Sequence, residues 1–344
     1  MWILKKDSQK AKAYASKFWE LTSYKFDEKT NLLKGIKKEL QETRSYNFLN
    51  KDRINEHLCA EPQDLLRLHT ELFTHILKDT TDKVFSQAEW EEHKKDPNRH
   101  PEYSVIDTTE VEAIESIFNY NAQIGGKKEL SYFIAKLIDS NTCTYCNRQY
   151  TLTVSSDDNK PIIRPEFDHW FSKKDYPDLA LSFYNLIPSC SLCNSSLKRT
   201  KKTSLHEYIH PYIDSEPGFV FGYKPLGKGK DGKEDYSVDI DITTTGADII
   251  RVQNTLNLFR IEEIYNAHAN YELRDLIELA TAYPGDYIEV IIGKILKDTS
   301  LSKKDIFRML FGIEMTPEKY LNRPFSKFKN DIINQIHEVL IKEP

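Results

Sequence analysis

The stretch that decides the fold begins NTCTYCNRQYTLTV at Asn141, continues RPEFDHWFSKKDYP from Arg164, and closes FYNLIPSCSLCNSSLKRTKK, which ends at Lys202. QYTLTV alternates apolar residues with threonine and is rich in β-branched residues, and PIIRPEF and FYNLIPSC are further extended runs, so short strands are predicted here. CSLCNSSLKRTKK is predicted to start a helix, because serines and Asn194 stand near its first turn. The stretch therefore predicts a small ββα unit.

Two Cys-x-x-Cys pairs, Cys143/Cys146 and Cys190/Cys193, bracket this unit. Disulfides are rare in reducing compartments, so this paired spacing indicates a metal site in preference to disulfide bonds. Four thiolates close the tetrahedral shell of zinc, which predicts a structural and not a catalytic ion. The alternatives are four unrelated buried cysteines or a thioredoxin-like redox pair. The second alternative is weak because no βαβ pattern surrounds either pair.

Amphipathic segments on both sides of the unit predict helices. On the N-terminal side they are KAKAYASKFWELTSY, NLLKGIKKEL, PQDLLRLHTELFTHILKD, TEVEAIESIFNYNAQI and KELSYFIAKLIDS. Apolar residues recur in them at helical spacing, and that pattern is typical of core packing. GFVFGYKPL and YSVDIDITT predict a β-hairpin, and helices are predicted again after Gly246. We expect a mainly α protein with three regions: a helical region 1–138, a zinc-bound core 139–210, and a β-hairpin with C-terminal helices 211–344.

The bulk composition narrows the class of protein. The chain has 344 residues, 39% of them hydrophobic and 29% charged, as in ordinary globular proteins. It has no apolar run long enough to span a membrane and no secretory signal, so a cytoplasmic protein is expected. The net charge of −5 argues against an overall basic nucleic-acid coat protein. A local basic surface is still compatible with this net charge.

Asp168 and His169 are the first candidates for chemistry. Phosphodiester hydrolysis needs an activated water, which a neutral imidazole can supply, and a divalent metal that stabilises the transition state. A hard cation such as Mg²⁺ prefers oxygen ligands, and Asp168 and the Asn194 carboxamide are suitable. Adjacent strand residues point to opposite faces, so a bulge or turn is expected to bring Asp168 and His169 to one site.

FDHW, NLIPSC, and CN followed by Lys198 resemble the HNH (ββα-metal) endonuclease pattern in its zinc-containing branch. The resemblance extends from Cys143 to Lys202. It implies that His169 is the general base, that Asp168 and Asn194 ligate Mg²⁺ or Mn²⁺, and that Asn185 braces the loop. It also implies that the four paired cysteines bind zinc.

Two departures from that pattern concern Trp170-Phe171-Ser172, where an aliphatic residue and proline are usual, and Asn194, where histidine is usual. The second departure resembles H-N-N variants and implies a metal shell built from oxygen ligands. Basic residues near the site are candidate phosphate contacts, with a solvated surface as the alternative: Lys173, Lys174, Lys198, Arg199, Lys201 and Lys202. His210 either contacts a phosphate, supports the site, or packs before a turn.

The order of helices, motif and helices is also similar, more loosely, to HNH proteins of bacterial anti-phage systems. In Septu-type pairs and some retrons such proteins work with an ABC/SMC-like ATPase, and the resemblance implies a similar partner here. The leading hypothesis is a metal-dependent nuclease that acts on DNA, with RNA as the alternative substrate. A non-catalytic zinc-binding adaptor and a stand-alone restriction-type endonuclease are the alternatives. No DNA-reading motif is recognisable in the sequence.

Overall fold

The computed structural model describes residues 2–22, 25–77, 85–106, 108–125, 128–158, 160–282 and 302–342. A mainly α architecture with small two-stranded hairpins and a buried four-cysteine cluster is confirmed. One of the helices predicted after Gly246, the segment DYIEVIIGKIL at 286–296, lies outside the described residues. Within the described part of the chain, no helix combines the length and the apolar content needed to cross a membrane.

The N-terminal arm is helical, as predicted, and its helices start where the sequence provides caps. Asp7 accepts backbone hydrogen bonds at the start of the first helix, and Asn50 does so at the third. The helices are α1 Ser8–Leu21, α2 Arg44–Phe48, α3 Lys51–Cys59, α4 Pro62–Leu77, α5 Gln87–Lys95, α6 Thr108–Ile117, α7 Tyr120–Gln123 and α8 Glu129–Ile138.

One predicted helix of this arm, residues 31–40, is wrong. The segment forms strand β2, Leu33–Lys34, paired with β1, Lys25–Phe26, and then a 3-10 helix at Lys38–Glu42. Gly35 has a φ of +89°, a backbone conformation that interrupts any helix. Local apolar spacing was therefore overridden by a turn.

The central unit contains two short antiparallel hairpins and one short helix. Strand β3, Val154–Ser155, pairs with β4, Pro161–Ile163, and β5, Glu166–His169, pairs with β6, Leu186–Ser189. QYTLTV is thus mostly not a strand, because the chain before it turns around the first cysteine pair. The predicted helix is a π-helix at Leu192–Lys198, and it ends at Arg199 with a φ of +52°.

The C-terminal part begins with the predicted hairpin, β7 Phe219–Lys228 paired with β8 Glu234–Ile242. Helices follow at α9 Asp248–Leu258, α10 Ile261–Asn266, α11 Arg274–Ala282, α12 Lys303–Phe311 and α13 Ser326–Lys342, with a π-helical turn at Ala269–Leu273. Side chains of all three regions join one cluster of buried apolar residues. Both arms therefore pack directly against the central unit.

Candidate active site and metal centre

The four cysteines of the two pairs meet in one buried cluster. Their Sγ atoms all lie within 4.8 Å of one another, and none is in a disulfide. The Sγ atoms of Cys146 and Cys190 are 4.0 Å apart, far beyond a disulfide bond of about 2 Å. Tetrahedral zinc with Zn–S distances of about 2.3 Å requires sulfur atoms about 3.8 Å apart. The cluster therefore fits a structural zinc ion.

The cluster joins three parts of the chain. Cys143 and Cys146 lie in a turn closed by the hydrogen bond from the Cys143 N–H to the Gln149 carbonyl. Cys190 follows β6, and Cys193 lies in the first turn of the π-helix. A metal bound here would fix the turn, the second strand and the helix of the ββα unit in one arrangement.

The regular pairing of β5 with β6 positions the candidate catalytic residues. Asp168 lies opposite Ile187 and His169 opposite Leu186, in continuous register. The expected bulge is thus wrong: the two side chains leave opposite faces of the strand, as neighbours on a strand do. Both still line the same cleft of about 480 Å³, because His169 is the last residue of the strand.

Asp168 is buried and already paired. Its Oδ1 accepts from the Lys198 ammonium at 3.0 Å, and its Oδ2 accepts from the Tyr145 hydroxyl. The Lys198 ammonium also donates to the His169 carbonyl at 2.6 Å. The side chain of Lys198 is only 2% exposed. This corrects its assignment as a phosphate contact, because its charge is used inside the ββα unit.

The substitution Lys198→Met tests this internal ion pair. It should lower the free energy of unfolding by about 3–5 kcal/mol, because it leaves the buried Asp168 carboxylate without its cation. Denaturant unfolding measures the change. Lys201→Met is the control, since Lys201 is exposed and lies outside the cleft. Equal stability of the two variants would contradict the internal role.

His169 is held by the chain on one side of its ring. Its Nε2 lies 3.0 Å from the Ala180 carbonyl oxygen, which can only accept, so Nε2 carries the proton. The unprotonated nitrogen is then Nδ1. Burial lowers the pKa of His169 to about 3, the Ala180 carbonyl opposes that shift, and nearby Lys173 and Lys198 add to it. The imidazole is therefore neutral at physiological pH, as a general base requires.

Asn185 lies behind His169 and is completely buried. Its Oδ1 accepts from the Phe171 N–H at 2.7 Å, and its Nδ2 donates to the carbonyls of Phe171 and Leu179 at 3.0 and 2.9 Å. The side chain thus links the segment after His169 to the loop that carries Ala180. This geometry is suited to the bracing role that the sequence predicts.

Glu166 is a site residue that the sequence analysis missed. Its Oε2 accepts from Asn194 Nδ2 at 2.9 Å and from the Ser195 hydroxyl at 3.0 Å. The available signal was its position two residues before Asp168, which puts both carboxylates on one strand face. Tyr120 and Arg164 of the cleft were also missed, and the Tyr120 ring lies edge-on to His169 at 4.5 Å.

The predicted basic residues separate into two groups. Lys173, Lys174 and Arg199 are exposed and line the cleft, with Arg164 beside them. Lys202 pairs with Glu91 and Asp175 at 2.6 and 3.0 Å, and Lys201 is exposed outside the cleft.

His210 is fully buried and packs on Trp170, with ring centroids 4.5 Å apart. Its Nδ1 accepts from the Tyr212 N–H at 3.1 Å, and burial lowers its pKa to about 3. Phosphate contact by this side chain is therefore wrong. His210 supports the site from within the core, behind the Trp170 that follows His169 in the chain.

The cleft offers oxygen donors for a divalent metal. Glu166, Asp168 and the Asn194 amide line it together, and the Asn194 nitrogen faces Glu166, which leaves its oxygen free of that contact and available to a metal. Each carboxylate oxygen can accept a further bond. In the described chain, the groups of three or more His, Cys, Asp or Glu close enough to share an ion are the four cysteines and Glu89/His100/Glu102. The donor set at the cleft depends on a carboxamide instead.

Comparison with known proteins gives distant relatives. The chain is similar to the Septu protein PtuB of Bacillus thuringiensis. The two are 26% identical over 148 residues, which is 43% of this chain and 52% of PtuB. Protein ea31 of Escherichia phage lambda is 24% identical over 169 residues, 48% of this chain and 53% of ea31. The chain thus matches about half the length of these curated relatives. No family model and no solved structure matches it.

Proposed function

We propose that the protein is a metal-dependent endonuclease of the HNH type that hydrolyses phosphodiester bonds of nucleic acid, with DNA as its substrate. The observation that carries the proposal is the state of His169. A neutral imidazole, fixed through Nε2, lines a cleft together with two carboxylates, a carboxamide and several cations. A base, oxygen ligands and phosphate-binding charges are the components that phosphodiester hydrolysis requires.

In the proposed reaction, His169 Nδ1 takes a proton from a water molecule whose oxygen attacks phosphorus. The bond between phosphorus and the 3′ oxygen breaks, its electron pair goes to that oxygen, and the leaving group takes a proton from solvent. Asn185 keeps the imidazole in place by holding the surrounding loop. Neutral His169 then regenerates by losing its proton to solvent.

Asp168, Asn194 and Glu166 would hold the divalent ion at the cleft. Mg²⁺ or Mn²⁺ bound to these oxygens supplies Lewis-acid stabilisation of charge on the phosphate and the leaving oxygen. Lys198 and Tyr145 each donate a hydrogen bond to the Asp168 carboxylate, so the carboxylate is fixed in direction before any ligand arrives. The four-cysteine zinc has a closed shell and takes no part in the reaction.

Lys173, Lys174 and Arg199 are proposed as the contacts to phosphates. Replacing all three by alanine should weaken binding to double-stranded DNA and flatten its salt dependence, by about 0.9 in log–log slope for each lost contact. Fluorescence anisotropy at several salt concentrations measures both quantities.

The matched control for this set is Lys25→Ala/Lys37→Ala/Lys38→Ala. It removes the same charge from exposed lysines outside the cleft. If the salt slope changes equally in both triple variants, the three cleft residues are ordinary solvated surface charges and not phosphate contacts.

The distant similarity to a Septu protein supports a further proposal about context. We propose that the chain is the nuclease component of an anti-phage defence system and works with an ABC/SMC-like ATPase. The helical region 1–138 and the C-terminal region 211–344 would then be arms around the nuclease core 139–210. Co-purification of an ATPase with the tagged full chain from its native host tests the partner.

The direct test of function is cleavage of plasmid DNA and of total RNA by the full chain with Mg²⁺, Mn²⁺ or EDTA. Cutting that requires added metal supports the nuclease, and the polymer that is cut identifies the substrate. Absence of cutting of both polymers, also in the presence of a co-purified partner, would favour the zinc-binding adaptor instead.

A further inference from the structure

The loop 177–181 orients the candidate base and its bracing residue. The Ala180 carbonyl accepts from His169 Nε2 at 3.0 Å, and the neighbouring Leu179 carbonyl accepts from Asn185 Nδ2 at 2.9 Å. Two consecutive carbonyls therefore set both side chains. The position of this loop decides which way the His169 ring faces.

On its other side the loop is fixed by a buried cluster from the N-terminal arm. Asp178 is completely buried, and its Oδ1 accepts from His69 Nδ1 at 2.7 Å. Its Oδ2 lies 3.4 Å from His57 Nε2. His57 lies on α3 and His69 on α4, and both side chains are at most 2% exposed. A carboxylate of the loop 177–181 is thus enclosed by two imidazoles of the N-terminal arm.

A hydrogen bond to the backbone fixes the orientation of the His57 ring. Its Nδ1 is 2.8 Å from the Arg53 carbonyl, which only accepts, so Nδ1 carries a proton. Its other nitrogen, Nε2, faces Asp178 Oδ2 at 3.4 Å. Burial by itself would raise the pKa of Asp178, but His69 and His57 lower it below its usual range. Asp178 is therefore held electrostatically by both imidazoles of the arm.

A third side chain of the arm reaches the same loop. The hydroxyl of Tyr14, on α1, donates to the Leu181 carbonyl at 2.8 Å. Tyr14 and the Phe183 ring pack together with centroids 5.7 Å apart. The loop is therefore held on the arm side by Tyr14, His57 and His69, and on the cleft side it holds His169 and Asn185.

We propose that the N-terminal arm positions the catalytic base, with Asp178, His57 and His69 acting as positioning residues through the loop 177–181. The inference rests on the proposed function, because it concerns the orientation of the proposed base. The arm is then part of the machinery and not only a surface for partners. Displacing α3 and α4 would release the Ala180 carbonyl, and His169 would lose its fixed tautomer.

The substitution Asp178→Asn tests the proposal in the full-length, zinc-loaded protein. It removes the charge and keeps the size of the side chain. We expect kcat for metal-dependent cleavage to fall about 10–100-fold, the range for lost orienting partners, with KM nearly unchanged. Tyr14→Phe is a milder second variant, which removes one hydrogen bond to the loop and should lower kcat less.

The control is Asp331→Asn, in the C-terminal helix α13. Asp331 is also a largely buried carboxylate paired with a cation, Lys327, but it lies outside the cleft. Loss of the Asp331 charge should reduce the stability of the protein without changing kcat. If Asp178→Asn lowers activity only as much as this control does at equal stability, the positioning role is overturned.

Nitrogen-15 NMR of the His169 imidazole supplies a readout without substrate. The wild type should show the tautomer protonated at Nε2, assigned by its disappearance in His169→Ala, and Asp178→Asn should show a mixture of tautomers. An unchanged tautomer in Asp178→Asn overturns the inference. A wild type that never cleaves defeats the proposed function instead, and the NMR result still decides whether the arm orients His169.

Discussion

His169→Ala is expected to abolish metal-dependent cleavage while the protein stays folded and zinc-loaded. Loss of a general base typically lowers a rate about 10²–10⁴-fold. The imidazole contributes one hydrogen bond to Ala180 and an edge contact with Tyr120, so its removal affects the fold little. Initial rates on the cleaved polymer, with circular dichroism and zinc content in parallel, measure the effect.

The control for this variant is His206→Ala, which removes an exposed histidine outside the cleft. It should cut at the wild-type rate. Wild-type activity in His169→Ala would show that another group activates the water, and the proposed mechanism would be wrong. Equal loss in both variants would point to a general effect on the protein.

Cys190→Ser is expected to cost the zinc ion and, with it, the fold of the central unit. Apparent binding free energies of structural zinc are about 10–16 kcal/mol in small zinc-dependent peptides, so the metal contributes directly to folding. Here it would hold the turn at Cys143 and Cys146 against the end of β6 and the π-helix. The zinc content measured by elemental analysis should fall from about one ion per chain to none, and the melting temperature should drop.

Cys59→Ser separates this effect from loss of any thiol. Cys59 is the fifth cysteine, lies at the end of α3 and is outside the cluster. It should keep zinc and stability. A Cys190→Ser protein that retains zinc, melts like the wild type and cleaves normally would refute the structural metal.

Loss of the proposed cleft metal and loss of the proposed zinc should have different consequences, and chelation experiments can therefore distinguish the two ions. Chelation of a metal in the cleft should stop cleavage reversibly, because its proposed ligands are two carboxylates and a carboxamide on a preformed strand and helix. Chelation of the zinc should unfold the central unit, because four buried thiolates depend on it. Restoring Mg²⁺ alone should rescue the first case and not the second.

Local patterns in the sequence determined much of this protein. The spacing of Cys143, Cys146, Cys190 and Cys193 predicted the metal cluster, because two Cys-x-x-Cys pairs can supply four thiolates to one ion. Alternating residues predicted the hairpin of β7 and β8, and apolar periodicity predicted most helices. These features depend on near neighbours in the chain, and near neighbours are visible in a sequence.

Tertiary structure alone decided which charges face the cleft and which face the core. Lys198 belongs to a basic run in the sequence, yet it is buried against Asp168, because the π-helix turns it inward. His69 and Asp178 are 109 positions apart and meet only when α4 packs on the loop behind His169. The helical and strand periodicities of a sequence carry no information about such a long-range contact. The sequence by itself therefore determined the four-cysteine cluster and most of the helices and strands, and packing decided how the arm meets the candidate base.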